Sequence, residues 1–370
     1  MNGGHGYLET LWNAPRRRSL LSPATLLSLL AAVYGGAMVL RAELYRRHLF
    51  QRRQLPCGVV SVGNLTVGGT GKTPLAMEVA ARLRDRGWPV CLLSRGYRGT
   101  AERSGAVVSD GRRILVPARV AGDEPWLMAR RLPGVPVIVG RDRWASGMTA
   151  AKRFGARVVV LDDGFQHLRL SRDLDLLLCD AQKPLGNGHL LPRGPLREPA
   201  TAARRAHALV RVYRAAAAGA PSQVRRRPGQ LVLEAILRPF LALVAAPAGA
   251  AEPSSPGLDW LEGRRALPFS GIAGNAGFFD TVAGAGADLV GRMGFADHHR
   301  YHRADLERIG AAARRAGADC LVTTAKDHAR LPPAAWPLPL AVLDLAVVWR
   351  DAGAGIDRLL EDRLAGSGSA

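Results

Sequence analysis

The sequence predicts an α/β protein: a P-loop-containing, doubly wound parallel sheet with a second, smaller α/β domain and an N-terminal membrane helix. Three observations support this fold class. A glycine-rich turn that ends in Lys72 and Thr73 follows an apolar run at positions 57–62. Short apolar runs then alternate with helical patterns, as they do in parallel sheets covered by helices. A long uncharged stretch near the N-terminus has arginines on both sides.

The composition is that of a globular protein with enough residues for two hydrophobic cores. The chain has 370 residues, 48% of them apolar, and its mean hydropathy is close to zero. These values exclude a polytopic membrane protein and a disordered chain. The four cysteines are widely spaced in or beside apolar runs, so we expect buried, reduced thiols and no cysteine metal site. They are Cys57, Cys91, Cys179 and Cys320.

The chain is strongly basic, with a formal net charge of +20, and nearly all of its positive residues are arginines. Such a surface suits anionic lipid, phosphorylated substrates or nucleic acid. Aromatic residues make up only 6% of the chain and are not interleaved with basic residues, so we expect no nucleic-acid partner. Lys72 and Lys326 are two of only four lysines. A lysine at a phosphate site acts as a compact point charge that arginine does not reproduce.

The first element that we predict is a membrane-associated helix at about 19–40. This stretch carries no formal charge, and a helix of that length spans roughly 33 Å, close to the ~30 Å hydrocarbon core of a bilayer. Pro23 and the pair Gly35 and Gly36 weaken an ideal spanning helix, so a single span and a helix lying in the interface both stay open. A buried helix of a soluble domain is a third interpretation. The flanking arginines, which suit anionic headgroups, are Arg16, Arg17, Arg18, Arg41, Arg46, Arg47, Arg52 and Arg53.

Residues 61–74 predict a nucleotide site, formed by a buried strand, a glycine-rich turn and the start of a helix. Such a turn points backbone N–H groups at one spot beside the positive end of the helix, and so binds phosphates. Lys72 is then placed to reach the β- and γ-phosphates, and the Thr73 hydroxyl to bind Mg²⁺. The strict P-loop pattern has glycine where this chain has Thr66, and deviant P-loops have lysine where it has Val67. An ordinary glycine-rich turn is the alternative.

The P-loop region continues as a series of short strands. After a helix at about 74–87, the apolar runs predict strands at 89–94, 135–139, 157–161, 174–179 and 208–212. Ligands bind outside the carboxyl ends of the strands in such sheets. We therefore expect the loops at 63–73, 94–99 and 162–167 to form the site.

A second α/β region follows a linker at 246–260, which is rich in Ala, Pro, Gly and Ser. Its predicted strands are 267–273, 287–290, 320–324 and 340–343, and 303–317 has a helical pattern. We expect a membrane-associated segment at 1–46, a P-loop domain at 47–245, the smaller domain at 261–350, and a C-terminal helix and tail at 351–370.

Two pairs of acidic residues are candidates for the chemistry. Asp162 and Asp163 end an apolar strand, where P-loop enzymes carry the aspartate of the Mg²⁺ shell. Asp123 and Glu124 lie in the motif Gly-Asp-Glu-Pro, and Pro125 suits the first turn of a helix. Asp123 is therefore either a helix N-cap or a catalytic group, and the local sequence favours neither.

Three further motifs contain side chains suited to binding or catalysis. Residues 297–302, Asp-His-His-Arg-Tyr-His, favour a catalytic or substrate-binding role over a zinc site, because they lack a usual zinc spacing and have no cysteine nearby. In the proline-rich segment 189–199, Arg193 and Arg197 are candidates to clamp a phosphate, unless the prolines only stiffen a connection. Lys326 follows a predicted strand and is either a site residue or an ordinary surface lysine.

Taken in order, the motifs resemble those of the lipid A tetraacyldisaccharide 4'-kinases, over roughly residues 10–345. They are S-V-G-N-L-T-V-G-G-T-G-K-T-P, S-R-G-Y, G-D-E-P, R-D-R, D-D-G-F-Q-H, L-L-P-x-G-P-L-R-E-P, D-H-H-x-Y and T-T-x-K-D. The resemblance implies a bacterial inner-membrane enzyme with its catalytic domains on the cytoplasmic face. It would move the γ-phosphoryl group of ATP to the 4'-hydroxyl of a tetraacyl glucosamine disaccharide 1-phosphate and give lipid IVA. A membrane helix is then expected, because the acyl chains of the substrate stay in the bilayer.

The resemblance also implies cofactors, partners and residue roles. ATP and Mg²⁺ are expected, with the lipid disaccharide and the membrane surface as partners and no obligate protein partner. Asp123 would be the base for the sugar hydroxyl, His298 would orient or tune it, and Lys72 would act on the phosphates. The ATP-binding residues would be Thr66, Val67, Gly68, Gly69, Thr70, Gly71, Lys72 and Thr73. The Mg²⁺ environment would be Thr73, Glu124, and Asp162 or Asp163. The substrate contacts would be Arg141, Arg143, Gln166, Arg193, Arg197 and His299.

Two other functions compete with this one. A membrane-associated regulatory ATPase of the deviant P-loop class would hydrolyse ATP without a lipid acceptor, but Val67 stands where its signature lysine is expected. A non-enzymatic membrane-binding module would use the glycine loop only as a turn and would not bind ATP.

Overall fold

The computed structural model describes residues 23–214, 224, 226–245, 255–333 and 336–365, which belong to two compact units. The larger unit contains the described residues up to Leu237 and those from Val347, and the smaller unit contains the described residues from Arg238 to Ala346. Several predictions fall outside the described residues: the start of the N-terminal helix at 19–22 with its preceding arginines, the linker from 246 to 254, and the tail from 366.

The larger unit is built on a mostly parallel sheet. In space its strands follow the order β7-β6-β1-β5-β2-β4-β3, with β3 antiparallel at the edge and the first half of β8 parallel to β7. Every residue of β1, β2 and β5 is buried, as expected for central parallel strands covered on both faces. The strands are β1 (Gly58–Asn64), β2 (Val90–Ser94), β3 (Ala106–Ser109), β4 (Val137–Val139), β5 (Val158–Asp162), β6 (Leu174–Asp180), β7 (Ala208–Arg214) and β8 (Leu231–Ala245).

Helices connect these strands and cover the sheet. The helix that follows β1 packs on β1, β2 and β5, and the helix that follows β4 packs on β2 and β4. The larger unit thus has the alternation of strand and helix that the sequence predicts, and its parallel strands direct their carboxyl ends to one edge. The helices are α1 (Pro23–Arg46), α2 (Lys72–Asp85), α3 (Ala118–Ala121), α4 (Asp123–Arg131) and α5 (Arg143–Phe154), with a 3₁₀ turn at Ala200–Arg205.

The five strands predicted after the P-loop are confirmed, with ends that differ by one or two residues. Two described strands of the larger unit were not predicted. β3 is a short edge strand of four residues, and edge strands need no continuous apolar run. β8 contains Glu234, Arg238 and Pro239, which interrupt its apolar pattern, and proline within a run is an argument against a strand. Tertiary pairing with β7 overrides that local signal.

Helix α1 is long and apolar enough to cross a membrane, and only 11% of its most apolar window is buried. Its outward face carries large apolar side chains, among them Leu29 and Val33, which are 64% and 67% exposed. The interpretation of a helix buried within a soluble domain is therefore wrong. The helix continues beyond the predicted end at 40 to Arg46, because the residues that follow are also good helix formers.

The smaller unit contains a further set of parallel strands and has its own core. β9 lies between β10 and β12, β13 pairs with β12, and β11 pairs with β9. Apolar side chains such as Phe278, Val282 and Val322 form the core. Its elements are a 3₁₀ turn (Leu258–Leu261), β9 (Arg265–Ser270), α6 (Asn275–Gly284), β10 (Asp288–Leu289), β11 (Met293–Gly294), α7 (Arg303–Ala316), β12 (Cys320–Thr324), α8 (Ala325–His328) and β13 (Leu340–Trp349). The chain then ends in α9 (Ala354–Leu364), which belongs to the larger unit.

Candidate active site

The P-loop connects the buried end of β1 to the start of α2. Gly71 caps the helix with a φ of 87°, and Gly68 has a φ of 110°, both in the left-handed region that favours glycine. A Cβ atom at Gly68 or Gly69 would meet no heavy atom within 4 Å, so the outer side of the turn is open. α2 begins at Lys72, two residues before the predicted start, and its N-terminal N–H groups lie at the turn. The loop has the backbone conformation and the helix end that phosphate binding requires.

Asn64, the last residue of β1, organises the turn from beneath. It is fully buried, and its Nδ2 donates to Thr70 Oγ1 at 2.7 Å and to Thr66 Oγ1 at 3.3 Å. Its Oδ1 accepts hydrogen bonds from Lys72 Nζ at 3.2 Å and from an Nη2 hydrogen of Arg197. No role was predicted for Asn64 from the sequence. The available signal was a polar residue at the end of an otherwise apolar strand that precedes a glycine turn.

Lys72, Asp163 and Arg197 form a charged group above Asn64. Both terminal nitrogens of Arg197 donate to the Asp163 carboxylate at 2.9 Å, and Lys72 Nζ lies 3.8 Å from Asp163 Oδ1. Burial lowers the pKa of Lys72 from its ordinary value, against the opposing effect of Asp163. Burial alone would raise the pKa of Asp163, but Lys72 and Arg197 lower it below its ordinary value. The group therefore holds two cations beside one carboxylate, an arrangement with an excess of positive charge.

Three oxygen-bearing side chains meet at the first turn of α2. The Thr73 hydroxyl lies 3.4 Å from Glu124 Oε2 and 3.5 Å from Asp162 Oδ2. Thr73 and Asp162 are buried, and Asp162 is the last residue of β5, next to β1 in the sheet. The sequence predictions for Thr73, Glu124 and Asp162 thus fall on residues that the fold brings together.

Asp123 is the first residue of α4. Gly122, with a φ of 89°, occupies the N-cap position, so the interpretation of Asp123 as the N-cap is wrong. Gly99 packs directly against this junction: a Cβ at Gly99 would lie 2.6 Å from the backbone nitrogen of Gly122. The backbone conformation at the N-cap favours glycine, so the helix begins directly after Gly122. The Asp123 carboxylate therefore lies at the positive end of α4.

The predicted substrate arginines differ in their surroundings. Arg141 is exposed, whereas Arg143 and Arg193 are only 4% and 5% exposed. Burial lowers the pKa of Arg143 to about 10. Within the described residues, Arg143 Nε and Arg193 Nη1 have no hydrogen-bond partner, which is unusual for buried donors. These nitrogens are suited to binding an anionic or hydroxyl-rich ligand.

Gln166 lies in the loop after β5. Its Nε2 donates to the backbone oxygen of Asn64 at 3.0 Å, and its own backbone oxygen accepts from Arg41 Nη2 at 3.0 Å. In the described part of the chain, its buried Oε1 accepts no hydrogen bond. The structure therefore joins Gln166 to the end of β1.

The histidine motif at 297–302 belongs to the smaller unit. Its two adjacent histidines, His298 and His299, differ in their contacts. His299 Nε2 donates to Asp305 Oδ2 at 2.9 Å, and the ring stacks on Phe295 with ring centroids 4.7 Å apart. His298 has a left-handed φ of 59°, and its backbone N–H donates to Gly271 O at 2.9 Å. His299 is thus engaged in packing within its own unit, while the fold holds His298 in an unusual backbone conformation.

Asp327, not Lys326, is the central residue of the Thr-Thr-Ala-Lys-Asp motif. It is fully buried and accepts hydrogen bonds from Tyr301 Oη at 2.9 Å, from Thr324 Oγ1 at 2.6 Å and from the Gly271 N–H at 3.0 Å. Arg330 pairs with it at 3.3 Å. Burial and the adjacent carboxylate raise the pKa of Tyr301. This network ties two motifs of the smaller unit together and was not predicted from the sequence.

Among the described residues, no group of three or more His, Cys, Asp or Glu is arranged to hold a metal ion by itself. All four cysteines are buried free thiols, as expected from their apolar surroundings.

Comparison with known proteins identifies similar sequences across nearly the whole chain. A family model described as tetraacyldisaccharide-1-P 4'-kinase matches residues 23–364. A tetraacyldisaccharide 4'-kinase of Desulfatibacillum aliphaticivorans is 42% identical over 93% of this chain and 94% of its own length. The protein of the same name from Syntrophus aciditrophicus is 43% identical over 87% of this chain and 88% of its own length. A crystal structure of LpxK from Aquifex aeolicus in complex with ATP superposes with a TM-score of 0.73 and 29% identity. It covers 93% of this chain and 100% of that one.

Proposed function

The chain belongs to the tetraacyldisaccharide-1-P 4'-kinase family, and we propose that the residues around the end of β1 carry out its phosphoryl transfer. It is an ATP-dependent kinase of lipid A biosynthesis, which transfers the γ-phosphoryl group of ATP to the 4'-hydroxyl of tetraacyldisaccharide 1-phosphate and gives lipid IVA. The observation that carries the residue assignment is the meeting of the P-loop threonine with Asp162 and Glu124, next to the P-loop lysine, which lies 3.8 Å from Asp163 Oδ1. Neither the regulatory ATPase nor the non-enzymatic module accounts for these relatives.

The loop from Thr66 to Thr73 is proposed to bind the phosphates of ATP. The open outer side of Gly68 and Gly69 lets phosphate oxygens approach the backbone N–H groups, and the start of α2 adds a positive end. Lys72 provides the point charge for the β- and γ-phosphates. Its present partners, Asn64 Oδ1, Gly68 O and Asp163, hold the ammonium group at the mouth of the turn.

Mg²⁺ is proposed to be held by Thr73, Glu124 and Asp162. A hydroxyl and two carboxylates are the hard oxygen ligands that Mg²⁺ prefers, and it commonly takes few protein ligands besides water and phosphate. Their oxygens lie 3.4 and 3.5 Å apart, which is long for a hydrogen bond and compatible with sharing a cation. Asp163 is committed to Arg197 through two hydrogen bonds, so Asp162 is the better candidate of the pair. The ion neutralises phosphate charge when bound.

Asp123 is proposed as the general base. Its carboxylate takes the proton of the 4'-hydroxyl as the sugar oxygen forms its bond to the γ-phosphorus, and the bond from that phosphorus to the ADP oxygen breaks. Phosphoryl transfer depends mainly on positioning and charge stabilisation, for which a carboxylate base is sufficient. His298 is proposed as a further catalytic residue, since His299 is occupied by Asp305 and Phe295.

The lipid substrate is proposed to contact Arg141, Arg143, Gln166, Arg193 and Arg197. The buried nitrogens of Arg143 and Arg193 that lack partners, and the buried Oε1 of Gln166, are suited to the phosphate and hydroxyl groups of a disaccharide 1-phosphate. Helix α1 is proposed to bring the enzyme to the cytoplasmic face of the bacterial inner membrane. Its exposed apolar face and the arginines after it fit acyl chains and anionic headgroups. We propose the larger unit as the kinase domain.

Substitution of Lys72 tests the phosphate site. The purified protein is mixed with γ-labelled ATP and the tetraacyl disaccharide 1-phosphate in detergent micelles, and labelled lipid is measured. We expect Lys72→Ala to abolish transfer, because the buried charge beside the turn is lost. Lys152→Ala, which removes an exposed lysine from α5, is the matched control and should be fully active. Normal turnover by Lys72→Ala would remove the P-loop from the mechanism.

Substitution of Asp123 tests the base. Asp123→Asn should lower kcat by at least about 100-fold, the scale of general base catalysis, and leave the affinity for ATP nearly unchanged. Asp85→Asn, at an exposed site at the end of α2, is the control for a loss of carboxylate charge. A change of kcat below tenfold would assign the base to another group.

A further inference from the structure

We propose that helix α1 is part of the active-site framework as well as the membrane element. In this view Tyr34 and Arg41 are positioning residues, which hold the loops of Arg197 and Gln166 against the end of β1. The inference rests on the proposed function of that site. It goes beyond a role of α1 in membrane binding, because it predicts that variants of Tyr34 and Arg41 lose activity even in detergent micelles, where the enzyme does not have to attach to a bilayer.

The first connection runs through the backbone of Arg197. Tyr34 Oη donates a hydrogen bond to Arg197 O at 2.8 Å, while the backbone N–H of Arg197 donates to Leu65 O at 2.7 Å. The peptide groups flanking Arg197 are therefore held from two sides, by α1 and by the residue that follows β1. The guanidinium of Arg197 binds Asp163 and Asn64 from this fixed backbone. A shift of the backbone would move the two cations of the phosphate site relative to each other.

The second connection runs through Gln166 in the same way. Arg41 Nη2 donates to Gln166 O at 3.0 Å, and Gln166 Nε2 donates to Asn64 O at 3.0 Å. Gln166 follows Asp162 and Asp163 in the loop after β5. Both connections thus begin on α1 and end at the end of β1. One passes through the loop of Arg197 and the other through the loop of Gln166.

The packing of α1 supports a fixed position. The residues of α1 that turn toward the protein recur about every third or fourth position, and among them Ala31 and Gly35 are buried. A Cβ atom at Gly35 would lie 2.6 Å from Leu190 Cδ1, so glycine is needed for the close approach. Leu190 lies in the proline-rich segment 189–199, which carries Arg193 and Arg197. Leu196 of this segment pairs with Thr66 of the P-loop.

The polar character of these contacts is informative. An apolar helix that serves only as an anchor needs no tyrosine hydroxyl or guanidinium on its protein side. Burial raises the pKa of Tyr34, so its hydroxyl remains a proton donor throughout the physiological range. Because both acceptors are backbone oxygens, the two hydrogen bonds that α1 donates do not depend on the identity of the side chains at Arg197 and Gln166.

The test compares variants in detergent micelles that contain both enzyme and lipid substrate, where attachment to a bilayer is not required. Tyr34→Phe and Arg41→Gln should each lower kcat about five- to tenfold, the size expected when one hydrogen bond that positions a reacting group is lost. Binding of Tyr34→Phe to vesicles of anionic lipid should equal that of the wild type. Tyr45→Phe removes the same hydroxyl elsewhere on α1, and Arg112→Gln removes a guanidinium from the exposed loop after β3. Both are matched controls and should retain kcat.

A double-mutant cycle separates positioning from general stability. Since Tyr34 is proposed to act through Arg197, Tyr34→Phe should have little further effect on kcat in the Arg197→Ala background. Unchanged kcat in both single variants would overturn the inference, and so would an undiminished effect of Tyr34→Phe in that background. The inference would also be overturned if kcat and Tm fell together in Tyr34→Phe and the control Tyr45→Phe showed the same two falls. If the wild type transfers no phosphate to the lipid, the proposed function itself fails.

Discussion

Replacing Asn64 by alanine is the substitution that most directly tests how the phosphate site is built. The side chain of Asn64 bonds two threonine hydroxyls of the P-loop and accepts from both Lys72 and Arg197. Asn64→Ala removes all four contacts without touching a residue proposed to bind ATP directly. The P-loop threonines lose their common donor, and the two cations lose their common acceptor.

The magnitude follows from the type of bond. A hydrogen bond between neutral groups contributes about 1 kcal/mol, and one to a charged group about 1.5–3 kcal/mol. The four contacts share one side chain and relax together, so their sum is an upper limit. We expect a loss of about 2–4 kcal/mol in transition-state stabilisation, which corresponds to roughly a 30- to 1,000-fold fall in kcat/KM for ATP.

The assay measures kcat/KM for ATP with the lipid substrate in micelles, together with ATP affinity by calorimetry. The matched control is Gln230→Ala. Gln230 is also buried in the larger unit, and it forms three hydrogen bonds, to Ala203, Ala206 and Arg227. Both variants should lose similar stability, but only Asn64→Ala should lose activity.

A conservative variant adds a second comparison. Asn64→Asp keeps the shape of the side chain and adds a negative charge beside Lys72 and Arg197. Its stability should be close to that of the wild type, whereas ATP should bind more weakly because the added charge repels phosphate. If Asn64→Ala keeps kcat/KM for ATP within threefold of the wild type, Asn64 does not organise the site and the reasoning is refuted.

Three further predictions concern charge, packing and the smaller unit. Asp163 opposes the lowering of the Lys72 pKa by burial, so in Asp163→Asn that pKa should fall further, and the alkaline decline of kcat/KM for ATP should begin at lower pH than in the wild type. An unshifted profile would contradict this. In Gly99→Ala the new Cβ would press on the backbone at Gly122, so kcat should fall more than tenfold with ATP affinity retained, as measured by steady-state kinetics and calorimetry. Tyr301→Phe should lower the free energy of unfolding by about 1–3 kcal/mol in chemical denaturation, because a buried carboxylate loses a donor; equal stability would argue against the network.

The sequence predicted the parts of this protein that local chemistry dictates. A glycine turn that must adopt left-handed backbone angles, followed by Lys72 and Thr73, can be recognised without coordinates. Parallel strands that are largely buried are mostly apolar runs, so five of them were placed to within two residues. An uncharged stretch long enough for a bilayer predicted α1, and the ordered set of motifs predicted the family.

The fold alone decided which of these residues meet. Asp162 and Asp163 are adjacent in sequence, yet a strand directs alternate side chains to opposite sides and the chain turns after β5. Asp162 therefore lies beside Thr73, whereas Asp163 pairs with Arg197. Asn64 and Asp327 gain their roles only from partners far along the chain. Such contacts depend on strand order and on how a loop turns back, and local periodicity carries no information about either.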